Sequence, residues 1–161
     1  MRSDWRHRRL GALLGAGLLT AAALPAQAGD VAVVVGADVD VDSISLVELR
    51  KIFLGDRQYW PSGRSVTLLV PAPPMPERAV LLDQVYRMTE SQFKQYWIAK
   101  VFRAEAVTGP KSMPSAPVTL QLVGALPGSV ALVDARDLRG AYKVLRIDGI
   151  APGERGYALR R

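Results

Sequence analysis

The sequence predicts an α/β fold, a mostly parallel sheet of about four strands flanked by helices. Three observations predict it. Residues 31–35, 66–70, 130–133 and 142–147 are short runs, apolar at most positions and rich in β-branched residues, the pattern of strands buried on both faces. The stretches between them carry apolar residues at helical spacing and recognisable helix starts. Strands that alternate with helices are joined by crossovers, which favour parallel pairing.

The elements follow in chain order. Val31 to Val35 is a continuous run of β-branched residues and alanine that stops at Gly36. A polar link over 37–43 leads to Ser45-Leu46-Val47-Glu48, a capping box in which serine and glutamate each satisfy the other's free backbone N–H. Leu46, Leu49, Ile52 and Phe53 then form one apolar stripe, and Gly55 is placed to end the helix as a residue past its cap. Tyr59-Trp60-Pro61-Ser62-Gly63 reads as a turn before the second strand. Pro71-Ala72-Pro73-Pro74-Met75-Pro76 is a stiff loop whose last proline suits the first turn of a helix. That helix is predicted to bury Ala79, Leu82, Val85 and Tyr86. Thr89 and Gln92 make a second capping box, followed by a stripe of Phe93, Trp97 and Val101. Residues 103–117 hold two glycine/proline breaks and read as a loop. Pro117 opens a short helix predicted to turn Val118, Leu122 and Ala125 inward, and Gly128 closes it. The last two strands complete the order βαβαααββ.

Residues 1–28 read as a cleaved secretory signal peptide, with Arg2, Arg6, Arg8 and Arg9 at the start, an apolar core from Leu10 to Leu24, and Ala26-Gln27-Ala28 at the end. The core is about 15 residues, short of the roughly 20 that a membrane span needs. Residues 29–161 are then one exported domain, placed in the periplasm. Its net charge of +3, from seventeen basic and fourteen acidic residues, gives no particular support to nucleic-acid binding. Cysteine is absent, and the single histidine, His7, lies in the leader. Disulfides, Cys or His metal sites, thiolate nucleophiles and Ser-His-Asp triads are therefore outside its reach. Residues 38–42 alternate aspartate and valine like a calcium loop, but the sixth and twelfth positions hold Ser43 and Leu49 where glycine and glutamate are needed. No metal or cofactor is expected, and the chain reads as a non-enzyme.

Leu46-x-x-Leu49-Arg50-x-Ile52-Phe53-Leu54-Gly55, then Tyr59-Trp60-Pro61-x-Gly63 and the strand after it, resemble the periplasmic phosphate-binding proteins, the substrate-binding components of phosphate import systems. Leu126-Pro127-Gly128-Ser129 before a strand, and Ile147-Asp148-Gly149 with Gly156-Tyr157 near the end, are similar to later segments of that family. The resemblance implies a shortened type 2 periplasmic binding-protein fold. It implies a small-molecule or anion ligand and a membrane transporter or sensor as partner. In that family an arginine and a Ser-Gly-Thr turn hold the anion after the second strand. This chain has Pro71-Ala72-Pro73-Pro74-Met75-Pro76-Glu77-Arg78 there, with few N–H donors and no hydroxyl. The ligand-binding candidates are Met75, Glu77 and Arg78 in that stretch, Ser112 and Ser115 in the later loop, and Asp134 at a strand end, where α/β sheets collect ligands.

Two readings stay open. One is an exported binding module without chemistry, which takes a small anion such as phosphate weakly for an import system. The other is an accessory protein that uses a degenerate copy of the fold to dock a membrane partner. The first requires a polar pocket at the carboxyl ends of the strands at 66–70 and 130–133. The second requires an exposed apolar patch elsewhere.

Overall fold

A computed structural model describes residues 29–140 and 142–161. The signal peptide expected over residues 1–28 lies outside them. Six strands form one sheet: β1 (Val31–Val35), β2 (Ser43–Ile44), β3 (Thr67–Pro71), β4 (Lys111–Met113), β5 (Ser129–Asp134) and β6 (Lys143–Ile147), in the order β2-β6-β1-β5-β3-β4. The pairs β3–β4, β3–β5 and β2–β6 are parallel, while β1 runs antiparallel to both β5 and β6. The α/β class and the mostly parallel sheet stand. The strand count rises from about four because β2 and β4 are two- and three-residue edge strands, too short to leave an apolar run.

Four α-helices cover the sheet: α1 (Leu46–Phe53), α2 (Pro76–Val80), α3 (Glu90–Phe102) and α4 (Ala116–Ala125). The side chains of β1 alternate between two cores. Val31, Val33 and Val35 join Leu49, Ile52, Phe53, Val85 and Trp97 from the α1–α3 side. Ala32 and Val34 join Leu120 and Val123 of α4 on the other. Every residue of β1 and β5 is buried, which explains why both read as uninterrupted apolar runs.

Both predicted capping boxes form. Ser45 accepts from the Glu48 N–H at 3.1 Å and Thr89 from the Gln92 N–H at 3.2 Å, with each partner side chain returning the bond. Gly55 follows the α1 cap at φ +71°, against the Trp97 ring, where a Cβ would stand 3.0 Å from a ring carbon.

Four details of the predicted pattern change. The second strand is shifted by one residue, to Thr67–Pro71. The helix begun at Pro76 widens into a π-helical segment over Leu81–Tyr86. The wider turn breaks the 3.6-residue period, so Val80 and Leu81 are buried and Ala79 is exposed. On α3, the inward position after Trp97 goes to Lys100, whose ammonium reaches the Asp56 carboxylate at 2.7 Å and the Tyr96 hydroxyl at 3.1 Å. Val101 is left exposed. On α4 the buried residues are Ala116, Thr119, Leu120 and Val123 rather than Val118, Leu122 and Ala125. Thr119 tolerates burial because its hydroxyl donates to the Ser115 carbonyl at 2.8 Å.

Candidate functional site

The parallel strands β3, β4 and β5 end side by side at Pro71, Met113 and Asp134. Beyond those ends lies an open cleft of about 560 Å³, walled by Met75 and Glu77 from α2 and its cap, Ser115 and Ala116 at the start of α4, and Asp134, Arg136, Asp137, Arg139 and Arg161. The position is the crevice outside the carboxyl ends of strands where open α/β sheets bind ligands.

Each wall has a local cause. Ser115 is extended (φ −160°, ψ 158°), and its hydroxyl accepts from the Val118 N–H at 3.5 Å, which begins α4 beside the cleft. Asp134 ends β5 and accepts from the Arg136 N–H at 2.9 Å, turning the chain into a single 3₁₀ turn over Ala135–Asp137. That turn sets Arg136 and Asp137 at the rim. The Asp134 side chain is buried and holds two guanidiniums: Arg136 at 2.8 and 3.1 Å, and Arg161. The Arg136 hydrogen bonds foremost, then the Arg161 charge, hold its carboxyl below the usual aspartate range.

This depressed pKa fixes a sign. Stability from Asp134 is fully present above the unfolded-state value of about 4 and is lost as pH falls through the lower folded value. Asp134→Asn is expected to be less stable than the parent at pH 7, with the gap closing below about pH 4. Urea unfolding across pH 7 to 2.5 checks this, and a gap that stays constant with pH would show that Asp134 does not carry it.

Four sequence candidates meet in the cleft: Met75, Glu77, Ser115 and Asp134. Ser112 does not line it; it is exposed on the edge strand β4, in what had read as a loop. Arg78, the third candidate of the stretch 71–78, does not line the cleft. It is buried, donates to the Pro71 carbonyl at 2.7 Å, grips the Glu90 carboxylate through two bonds at 2.7 and 2.8 Å, and lies over the Phe93 ring at 4.8 Å. These contacts occupy each of its guanidinium nitrogens, and it ties the end of β3 to the start of α3. Arg78→Ala is expected to cost about 2–3 kcal/mol, because the Pro71 carbonyl loses its charged donor while the half-exposed Glu90 is rescued by water. Phosphate titration of the folded variant should match the parent, and a loss of binding without loss of stability would return Arg78 to the ligand.

Three arginines at the cleft were not singled out from sequence. Arg136 carried a signal, since it follows a buried strand that ends in aspartate. Arg139 and Arg161 carried none, and Arg161 meets Asp134 across 27 positions of chain.

A second cavity of about 290 Å³ lies between α1 and α3, walled by Ile52, Gly55, Tyr59, Trp97, Val107 and their neighbours. Beside it α3 presents Ile98, Val101 and Phe102 to solvent, with Ile98 71% and Phe102 90% exposed. No helix among the described residues is long and apolar enough to cross a membrane.

The fold is similar to those of solved structures. One is a phosphate ABC transporter substrate-binding protein with bound phosphate from Clostridium perfringens, at TM-score 0.62 and 11% identity over 77% of this chain and 47% of that one. Another is PstS from Borrelia burgdorferi, at TM-score 0.64 and 10% identity over 83% and 55%. A third is an ABC-type phosphate transport receptor from Vibrio cholerae, at TM-score 0.61 and 12% identity over 77% and 48%. The chain has a phosphate-binding-protein-like fold. The chain spans about half the length of these structures. No family model matches it, and no curated protein does.

Within this phosphate-binding-protein-like fold, the loop from Pro71 to Pro76 remains poor in donors. The Ala72 N–H is taken by the Met113 carbonyl at 2.8 Å and the Met75 N–H by the Ala72 carbonyl at 2.9 Å. The peptide bond between Pro73 and Pro74 is cis. Cationic chemistry in the cleft therefore comes from Arg136, Arg139 and Arg161.

Proposed function

We propose that the chain is an exported, periplasmic, non-catalytic binding module that holds a small anion weakly for an import system. The observation that supports this most is the open polar cleft at the carboxyl ends of β3, β4 and β5 with three arginines on its wall. It lies in a fold shared with proteins solved as phosphate-transport components. The three guanidiniums are not equally available. Two are held by Asp134, so the attraction for an anion rests chiefly on Arg139 and on the outer faces of the other two. A phosphate ion that leaves water for so few donors gains little.

Calorimetric titration with phosphate at low ionic strength is expected to give a dissociation constant above about 100 μM, less than about 5.5 kcal/mol of binding. Arg139→Ala should weaken it several-fold further. Binding in the low micromolar range would contradict the weak-anion reading, and an absence of saturable binding would contradict the module itself.

A second reading is supported by the apolar face of α3. Ile98, Val101 and Phe102 lie one turn apart on a helix that buries Phe93, Trp97 and Lys100, and exposed apolar patches of this kind mark contact surfaces. On that reading the chain is an accessory protein that docks a membrane partner, such as a transporter or sensor, through α3. Ile98→Asp with Phe102→Asp would then abolish partner association and leave phosphate titration unchanged.

A further inference from the structure

The cleft wall is balanced in charge. Arg136, Arg139 and Arg161 stand with Glu77, Asp134 and Asp137. Within this set the pairing is uneven. Asp134 takes Arg136 and Arg161. Glu77, which is 3% exposed, has a buried Oε2 with no hydrogen-bond partner among the described residues. It is near enough to Arg136 to reinforce, after Asp134 and Asp137, the protonated guanidinium. A buried carboxylate can only accept, and one left without donors is costly. It sits in the wall of an open cleft, one residue after the proline that starts α2. The cleft is also lined by Arg139, which is exposed.

A plain anion answers half of this arrangement. It satisfies the arginine side and meets repulsion from Glu77. A ligand with a cationic donor at one end and an oxyanion at the other answers both: the ammonium supplies the missing donor to Glu77, and the oxyanion takes Arg139 and the free faces of Arg136 and Arg161. Charge-assisted bonds at both ends are also the strong kind. Resting on the cleft as the binding site proposed above, we infer that its preferred ligand is a small zwitterion carrying an ammonium and an oxyanion on one short chain. Glu77 is the residue that selects it over a simple anion.

The test is calorimetric titration of the purified protein with three probes: O-phosphorylethanolamine, inorganic phosphate and ethylamine. O-phosphorylethanolamine is expected to bind at least tenfold more tightly than either single-charge probe. Glu77→Gln, which keeps the shape and removes the charge, should lower O-phosphorylethanolamine affinity about tenfold while leaving phosphate equal or tighter. The comparison of probes on the parent protein stands even if the variant folds poorly. If phosphate binds as well as O-phosphorylethanolamine, the zwitterion inference is overturned and the anion reading survives. Loss of phosphate and zwitterion affinity together in a folded Glu77→Gln would also overturn it. If no probe binds, the cleft is not the ligand site and both readings fall.

Discussion

Replacing Gly128 with alanine is expected to destabilise the protein by about 4 kcal/mol, with the loss visible as a lowered urea midpoint at unchanged slope. Two costs combine. Gly128 sits at φ +68°, a left-handed conformation that costs an L side chain about 1–2 kcal/mol. A Cβ there would stand 2.1 Å from the Ser65 carbonyl oxygen, and a backbone atom cannot swing aside as a side-chain tip does. Overpacking of this kind costs typically about 1–3 kcal/mol and occasionally more. The surroundings resist relaxation because Gly128 is a junction. Its carbonyl accepts from the buried Trp60 indole at 2.9 Å and from the Thr67 N–H at 3.0 Å, and its N–H donates to Asp38 at 2.9 Å. Any shift that relieves the clash lengthens three hydrogen bonds that join the turn before β3, the start of β5 and the polar link after β1. A cost under about 1 kcal/mol would mean that the close approach of Ser65 is not fixed.

Leu49→Ala is expected to cost about 3–5 kcal/mol, the upper part of the range for buried leucines. Leu49 is fully buried on α1, in one cluster with Ile52 and Phe53 of the same helix and with the α1-facing valines of β1. One side of the vacated space is a sheet strand held by ladders on both edges. The other is a helix anchored by a capping box, and Phe53 there meets the Tyr86 ring edge-on at 6.1 Å while its carbonyl accepts from the Tyr86 hydroxyl at 2.7 Å. Neither wall is free to collapse, and the cost of a cavity grows with the volume that stays open. Differential scanning calorimetry together with urea unfolding reads it. A cost below about 0.5 kcal/mol would fit a surface residue and contradict the register of α1.

The sequence by itself determined the elements whose cause is local. Ser45 with Glu48 and Thr89 with Gln92 begin helices because side chains three residues apart reach each other's backbone whatever lies around them. Val31 to Val35 and the run ending at Val133 are strands buried on both faces, since continuous β-branched apolar residues suit little else at that length. The absence of cysteine, and of histidine beyond His7, bounded the chemistry before any fold was known. The position of the cleft was also legible in outline, because parallel strands leave a crevice at their carboxyl ends.

Tertiary structure decided whatever depends on partners distant in sequence. Arg78 looked available to a ligand until Pro71, Glu90 and Phe93 closed around its guanidinium. The α3 stripe stopped at Trp97 because Asp56 and the Tyr96 hydroxyl make a buried Lys100 tolerable at the next inward position, which a count of apolar residues cannot register. In the helix after Pro76, Val85 and Tyr86 are buried as expected, while Ala79 is exposed and Leu82 half-buried, because the π-helical segment changes the angle per residue. The cationic lining of the cleft was hidden because its partners are distant in sequence. Asp134 and Arg161 are brought together only by the sheet order, in which Val31 of β1 pairs with Asp134 and the isolated bridge between Asp30 and Arg160 holds the last residues beside it. Charge pairs of this kind are set by the path of the whole chain, and their energy depends on burial that no local spacing encodes.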